Sequence, residues 1–236
     1  MSLVMPAELK ANDEERAVVM SDRGLAAWEI ASVVSSILIA EWILSAVIGR
    51  SKLIVAIPIV LAFVLIIGSH RLRGETLRDL GFRFDNFLSA GRLLLLPMLV
   101  TAVLCLMVGW WFGGELNFLR WHTGRPIAGQ LVLGFGWGLV QQYVLQGFIN
   151  RRAQIIWGQS WLSVLLVAIV FGSLHLPNPW LTFVTFTGGV IWAAVYQRAP
   201  NLFALAASHS LMTWVLVSTL PASALNHLRI GFKYFG

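Results

Sequence analysis

Seven apolar runs, at about residues 25–48, 53–69, 92–112, 128–149, 160–175, 180–197 and 201–220, constrain this chain more than any motif in it. Each is 16 to 24 residues long. Roughly 20 helical residues, at about 1.5 Å apiece, cross the ~30 Å of hydrocarbon in a bilayer. Inside lipid the backbone must satisfy its own hydrogen bonds, and an isolated run of this length does so only as a helix. The expected fold is therefore an all-α polytopic transmembrane helical bundle of about seven spans. Charge agrees: only 12% of the residues are charged, about half of the ~25% in a soluble domain. Trp28, Trp110, Trp111, Trp157, Trp161, Trp180 and Trp214 fall near the ends of runs, where an aromatic belt would sit.

The chain divides into a polar tail (1–24), the bundle (25–220, with its motif-bearing core at 128–214) and a C-terminal tail (221–236). The N-terminal tail is mostly acidic, and the first apolar run is too long for the h-region of a signal peptide, so the tail is expected to be retained. A net charge of +6 would suggest nucleic acid in a soluble protein. Here the basic residues flank apolar runs, where they anchor helices to headgroups, so the expected partner is membrane lipid and not nucleic acid. With the N-terminus inside, eleven Lys and Arg fall on the cytoplasmic side and six outside. That bias favours a cytoplasmic-membrane protein with its N-terminus in the cytoplasm and its C-terminus out. A single cysteine, Cys105, excludes a disulfide within the chain. The longest polar connection, residues 70–91, interleaves Leu72, Leu77, Leu80, Phe82 and Phe84 with Arg71, Arg73, Arg78 and Arg83. This suits either an amphipathic segment on an anionic leaflet or a solvated basic loop.

Carboxylates and imidazoles are segregated. All eleven Asp and Glu lie at or before Glu115, whereas four of the five histidines (His122, His175, His209, His227) lie after it. A site in the last four spans must work with imidazoles, amides and hydroxyls. The fourth run carries Gly134, Gly138, Gln142, Gln146 and Asn150 at four-residue spacing, on one slowly drifting helix face, with Gln141 beside it. Such amides serve as interhelical glue or as part of a polar site. His175 closes the fifth run in FGSLHLPNP, where a histidine can also simply answer the helix dipole. His209 sits inside the seventh run, in SHS, with Thr213 one turn on. An ionisable residue within a span is expensive and tends to face the bundle interior, which makes His209 the leading functional candidate. Glu41 is the one carboxylate deep in a span, and Glu29, near the inner end, is expected to snorkel to the interface.

These residues resemble a known family. The stretch 128–214 is similar to the CAAX-protease and bacteriocin-processing intramembrane peptidases, which include the type II CAAX prenyl endopeptidases. Their pattern is EExxxR on one helix, FxxxH on the next, and HxxxN or HxxxD on a later one. Here the chain reads QQYVLQGFINRR, then FGSLH, then SHSLMT, and LRDLGFRF earlier also matches. The resemblance implies a peptidase in which the first glutamate and the FxxxH histidine activate water, while the later histidine and its Asn or Asp polarise the substrate carbonyl. Mapped here, Gln141 and Gln142 replace the glutamates, Gln146 replaces the arginine and Thr213 replaces the asparagine, while His175 and His209 remain. A glutamine cannot take the water's proton, a role worth roughly 10²–10⁴-fold. Losing both carboxylates together with their arginine is self-consistent, since a lone buried arginine would be costly.

Three readings follow. The first is a divergent endopeptidase acting on a membrane-anchored or transmembrane peptide, with His175 as base and Glu41 as a candidate replacement base. The second is a non-catalytic relative that binds a peptide, lipid or partner in the same cavity. The third is a small transporter. Two imidazoles and a carboxylate would also make a zinc site, but only Glu29, Glu41 or Glu115 could complete it and nothing in the sequence places them nearby. No metal and no other cofactor is expected.

Overall fold

The computed structural model describes residues 7–48, 52–112, 116–118 and 126–236, with side chains from Ser21 onward. Seven helical segments follow the seven apolar runs. Helix α1 (7–47) is continuous, formed by Ala7–Leu38, a π-helical turn Ile39–Leu44 and Ser45–Val47. Its first residues turn the polar tail from Ala7 on into an extension of the first span. Next come α2 (Lys52–Leu72), α3 (Phe87–Trp111) and α4 (127–157), the last a continuous helix with a π-helical middle, Tyr143–Asn150. Then follow α5 (Trp161–Ser173), α6 (Pro179–Arg198) and α7 (Leu202–Thr219). The chain closes with a single turn, α8 (Ala222–Leu225), and two 3₁₀ turns, Asn226–Leu228 and Gly231–Phe235.

Five helical stretches among the described residues are long and apolar enough to cross a membrane: Ser21–Val47, α2, α3, α6 and α7. Helix α4 falls short in hydropathy because its middle carries Gln141, Gln142, Gln146 and Asn150. Helix α5 falls short in length: its 13 residues span about 20 Å. The exposed face of α3 is apolar (Leu95, Leu96, Leu99, Val103, Met107), while Gln142, Gln146, Asn150, Arg152 and His209 are buried. That inversion is what lipid as solvent favours.

Close helix approach rests on glycine. A Cβ at Gly189 of α6 would lie 2.8 Å from the Ala168 Cα of α5, and one at Gly138 of α4 would lie 3.2 Å from the Ala206 carbonyl of α7. Three Asn side chains fix the turns: Asn178 and Asn201 accept from the backbone N–H of Leu181 and Ala204 at the starts of α6 and α7, and Asn201 also donates to the Asn86 side chain. Pro179 is the first residue of α6, six residues beyond the end of α5 at Ser173. Proline is well suited to that position because its missing N–H would be unpaired anyway.

Residues 73–86 form no helix: Leu80 and Gly81 are buried, while Leu77, Arg78 and Phe84 stay exposed. They are a run of turns folded onto one end of the bundle. Tyr196 Oη donates to the Leu80 carbonyl at 3.0 Å, Leu202 N–H to the Gly81 carbonyl at 2.8 Å, and Asn201 Nδ2 to the Arg83 carbonyl at 2.7 Å. Gly74 (φ 65°) and Gly81 (φ 96°) supply the left-handed conformations that break a helix here.

Beneath these turns lies a buried ionic cluster. Arg152 of α4 has 0% exposure. Its guanidinium meets Glu75 at 2.8 and 3.1 Å, Glu29 of α1 at 3.0 Å and the Ser69 hydroxyl of α2 at 2.9 Å, with the Phe148 ring 4.9 Å away. Ser69 Oγ donates to Glu29 Oε1 at 2.5 Å, and Arg151 Nε and His70 Nδ1 donate to Glu75 at 2.7 and 2.6 Å. Burial pushes the Glu75 carboxyl up, but the bonds from His70, Arg152 and Arg151 outweigh it and hold the group well below the usual carboxylate range. Glu29 therefore does not snorkel: at 6% exposure it is an internal ion-pair partner. The arginine absent at Gln146 is not the only one this bundle could bury.

Candidate active site

Two cavities meet at His175. The first, about 310 Å³, lies among α3, α4, α6 and α7 and is lined by Gln141, His175, His209 and Thr213 with Trp137, Trp192, Cys105 and other, mostly apolar, side chains. The second, about 230 Å³, lies among α1, α2, α4 and α5 and is lined by Glu41, Gln141 and His175 with apolar neighbours such as Ile37, Phe63 and Val144. Trp137, Gln141, His175 and Ile230 face both, so they form the partition.

The local structure orients each imidazole. His175 lies in the turn just after α5, where its backbone N–H bonds the Gly172 carbonyl at 2.9 Å. Its Nδ1 is 2.8 Å from the Phe171 carbonyl, which can only accept, so Nδ1 carries the proton and Nε2 keeps the lone pair. His209 is the reverse. The Gln142 amide Nε2 lies 3.3 Å from His209 Nδ1, a contact that suits an accepting Nδ1 and hence the tautomer with its proton on Nε2. The His209 ring stacks on Trp192 (centroids 4.7 Å apart, 14° between planes), and Phe171 touches both imidazoles, at 4.9 Å from His175 and 5.9 Å from His209. Trp192 is itself fixed by an Nε1–H bond to Ser208 Oγ at 2.8 Å.

The other candidates divide. Gln141 stands in the partition. Gln142 is fully buried behind His209, facing neither cavity directly. Thr213 lines the first cavity, but its hydroxyl donates to the His209 carbonyl at 2.9 Å, so its proton is committed to its own helix. Gln146 lines neither cavity. Its Oε1 accepts from Asn150 Nδ2 at 2.8 Å, in an amide ladder that Gln154 and Gln197 extend through Asn150 Oδ1 at 3.0 and 3.2 Å. That ladder joins α4 to α6, and it also reaches the Ala193 carbonyl at 3.3 Å. Glu41 sits in the π-helical turn of α1, where Ser45 Oγ closes a bond to the Ala40 carbonyl at 2.8 Å. Its carboxylate pairs with Lys233 at 3.3 Å. Among the described residues no three His, Cys, Asp or Glu side chains cluster as metal ligands, and Glu115 and His122 lie outside the described residues.

Residues 123–215 match the family model described as type II CAAX prenyl endopeptidase Rce1-like. Over these 93 of the 236 residues the chain is similar to that family. No curated protein and no solved structure matches it. The matched stretch runs from α4 into α7 and contains His175, His209, the three glutamines and Thr213, whereas Glu41, Cys105 and Ile230 come from outside it.

Two features of this site were not read from the sequence. Trp192 had a signal, since a tryptophan in mid-span departs from the interfacial belt. Ile230 had none: its place in the partition depends on the C-terminal tail folding back over the bundle.

Proposed function

We propose that this chain is an intramembrane endopeptidase that hydrolyses a peptide bond in a membrane-anchored or transmembrane substrate. The observation that carries the reading is the pair of imidazoles at one cavity with different Nδ1 partners, a backbone carbonyl at His175 and an amide nitrogen at His209, which suits a lone pair on His175 Nε2 and a proton on His209 Nε2. That is the division of labour peptide hydrolysis needs. His175 Nε2 takes a proton from water, and the hydroxide attacks the scissile carbonyl carbon. The Phe171 carbonyl, bonded to Nδ1–H, steadies the imidazolium that forms. His209 Nε2–H bonds the carbonyl oxygen as it becomes an oxyanion, an interaction worth roughly 10²–10³-fold where single donors have been removed. Collapse of the tetrahedral intermediate returns the proton from His175 to the leaving amine. Gln141 holds the water beside the base, and Gln142 holds the His209 tautomer. Thr213 takes no direct part. The site works in the cytoplasmic membrane, with the N-terminus and residues 73–86 on the cytoplasmic side.

A non-catalytic relative that binds a peptide or lipid in the same cavity is favoured by one observation: among the described residues no carboxylate lines the 310 Å³ cavity. Reconstitution into lipid vesicles with a panel of membrane-anchored peptides separates the two. The peptidase cleaves, and His175→Ala and His209→Ala each lower kcat with little change in binding. Binding without cleavage by the wild type selects the second reading, and cleavage that survives His175→Ala removes the mechanism.

A further inference from the structure

At the end of the bundle that holds Glu41, residues of the C-terminal segment border both cavities. Leu228 and Ile230 line the first cavity, and Ile230 also lines the second. This stretch is held to the bundle by a handful of polar contacts. Asn178 Nδ2 donates to the Leu225 and Arg229 carbonyls at 2.8 and 3.3 Å, and Gly231 N–H donates to the Leu176 carbonyl, one residue past His175, at 2.8 Å. Lys233 Nζ reaches the Glu41 carboxylate at 3.3 Å. The fit is close: a Cβ on Gly231 (φ 57°) would lie 2.8 Å from the Glu41 carbonyl oxygen.

Three further observations say that this segment is not simply a packed end. Asn226, His227 and Leu228 all adopt left-handed backbone conformations (φ 42°, 54° and 60°), a run that costs energy at each non-glycine residue and most at Leu228. Straightening the joint would recover that energy, whereas docking Ile230 and Lys233 offsets it. The segment has no long helix of its own, only one α-helical turn and two 3₁₀ turns. Its outward side presents Phe232 and Phe235, both exposed, next to Lys233, which suits the interfacial zone where a membrane-borne ligand arrives.

We infer that residues 226–236 form a displaceable strap, latched by Lys233 on Glu41 and seated by Gly231, which closes both cavities at rest and is lifted when an apolar, membrane-borne peptide enters. Lifting it releases the Glu41 carboxylate from its counter-ion at the moment Ile230 leaves the partition, so one movement opens the site and frees its nearest carboxylate. The inference rests on these cavities being a ligand site and not on hydrolysis.

Cys105 lines the first cavity and is the one cysteine in the chain, so it reports on the strap directly. The full chain in lipid vesicles is treated with a membrane-permeant maleimide, and the labelling rate of Cys105 is compared among wild type, Gly231→Val and Lys233→Glu. Gly231→Val unseats the strap sterically. Lys233→Glu, at an exposed side chain, sets like charges against each other without disturbing the core. Labelling through a local opening scales with the open population, so Gly231→Val should label about tenfold faster or more and Lys233→Glu, at an exposed pair, about two- to fivefold faster. Thermal midpoints close to the wild type show that the bundle remains folded. A membrane-anchored peptide that binds should accelerate labelling of the wild type in the same way. Equal rates in wild type and Lys233→Glu, with folding intact, would overturn the strap, as would rapid labelling of the wild type at rest. Faster labelling with no cleavage of any peptide would uphold the strap while removing the peptidase reading.

Discussion

Arg152→Met tests whether the end of the bundle that holds Glu75 is held by a buried ion-pair cluster or by apolar packing alone. The wild-type guanidinium is wholly buried and contacts Glu75 twice, Glu29 once and Ser69 once. Methionine keeps an apolar stem of similar length but loses the guanidinium over Phe148 and leaves two largely enclosed carboxylates short of a partner. Removing one member of a buried ionic group costs about 3–5 kcal/mol. Here Glu75 retains Arg151 and His70, and Glu29 retains Ser69 and Arg73. The loss should therefore sit at the lower end, about 3 kcal/mol, or a fall of about 6–12 °C in the thermal midpoint for a chain of this size. Arg151 serves as the control because its side chain is 29% exposed and makes one carboxylate contact, so Arg151→Gln should cost about 1 kcal/mol or less. Pairing Arg152→Met with Glu75→Gln removes a stranded charge and should restore part of the loss, which a double-mutant cycle in detergent reads as a coupling energy. Equal, small losses for Arg152→Met and Arg151→Gln would refute the cluster as a structural element.

Three further outcomes follow from the same geometry. The Glu75 carboxyl titrates below its unfolded value near 4.3, so its contribution is fully present above about pH 4 and is lost as pH falls through the lower folded value. The thermal midpoint should drop on acidification below about pH 4, and Glu75→Gln should flatten that drop. Gly189→Ala places a Cβ 2.8 Å from the Ala168 backbone. Overpacking of this kind costs about 1–3 kcal/mol, which thermal unfolding measures against Gly136→Ala, where the added Cβ meets nothing within 4 Å. Reporter fusions at Gly81 and Gly236 should report opposite sides of the membrane, and the same side for both would contradict an odd number of crossings.

What the sequence made legible follows from what each signal measures. Apolar length is a local property, and the seven helices sit where the runs predict. His175 and His209 stood out because an imidazole in an apolar run needs a reason, and both line one cavity. The ionic cluster was not legible. Glu29 and Arg152 each look like an ordinary charge near the end of a span, and only the packing of α1 against α4 turns the two into partners. The connection at 70–91 has an amphipathic pattern, yet Gly74 and Gly81 turn the backbone and its buried side chains pack on α6 and α7 instead. The four-residue stripe on α4 predicted one face, but the π-helical stretch from Tyr143 shifts its register, so that Gln142 meets His209 while Asn150, which bonds Gln146, meets α6. Thr213 was mapped as a carbonyl donor by position alone, and its bond to the His209 carbonyl depends on a rotamer that no sequence pattern encodes.

The claim that His175 activates water is tested most directly by cleavage in ¹⁸O-water. Wild type and His175→Ala are reconstituted in lipid with membrane-anchored peptides, and the products are weighed by mass spectrometry. The account predicts that the wild type places one ¹⁸O in the new C-terminal carboxylate and that His175→Ala yields little or no product. Products without ¹⁸O, or labelled products formed equally by His175→Ala, would contradict it.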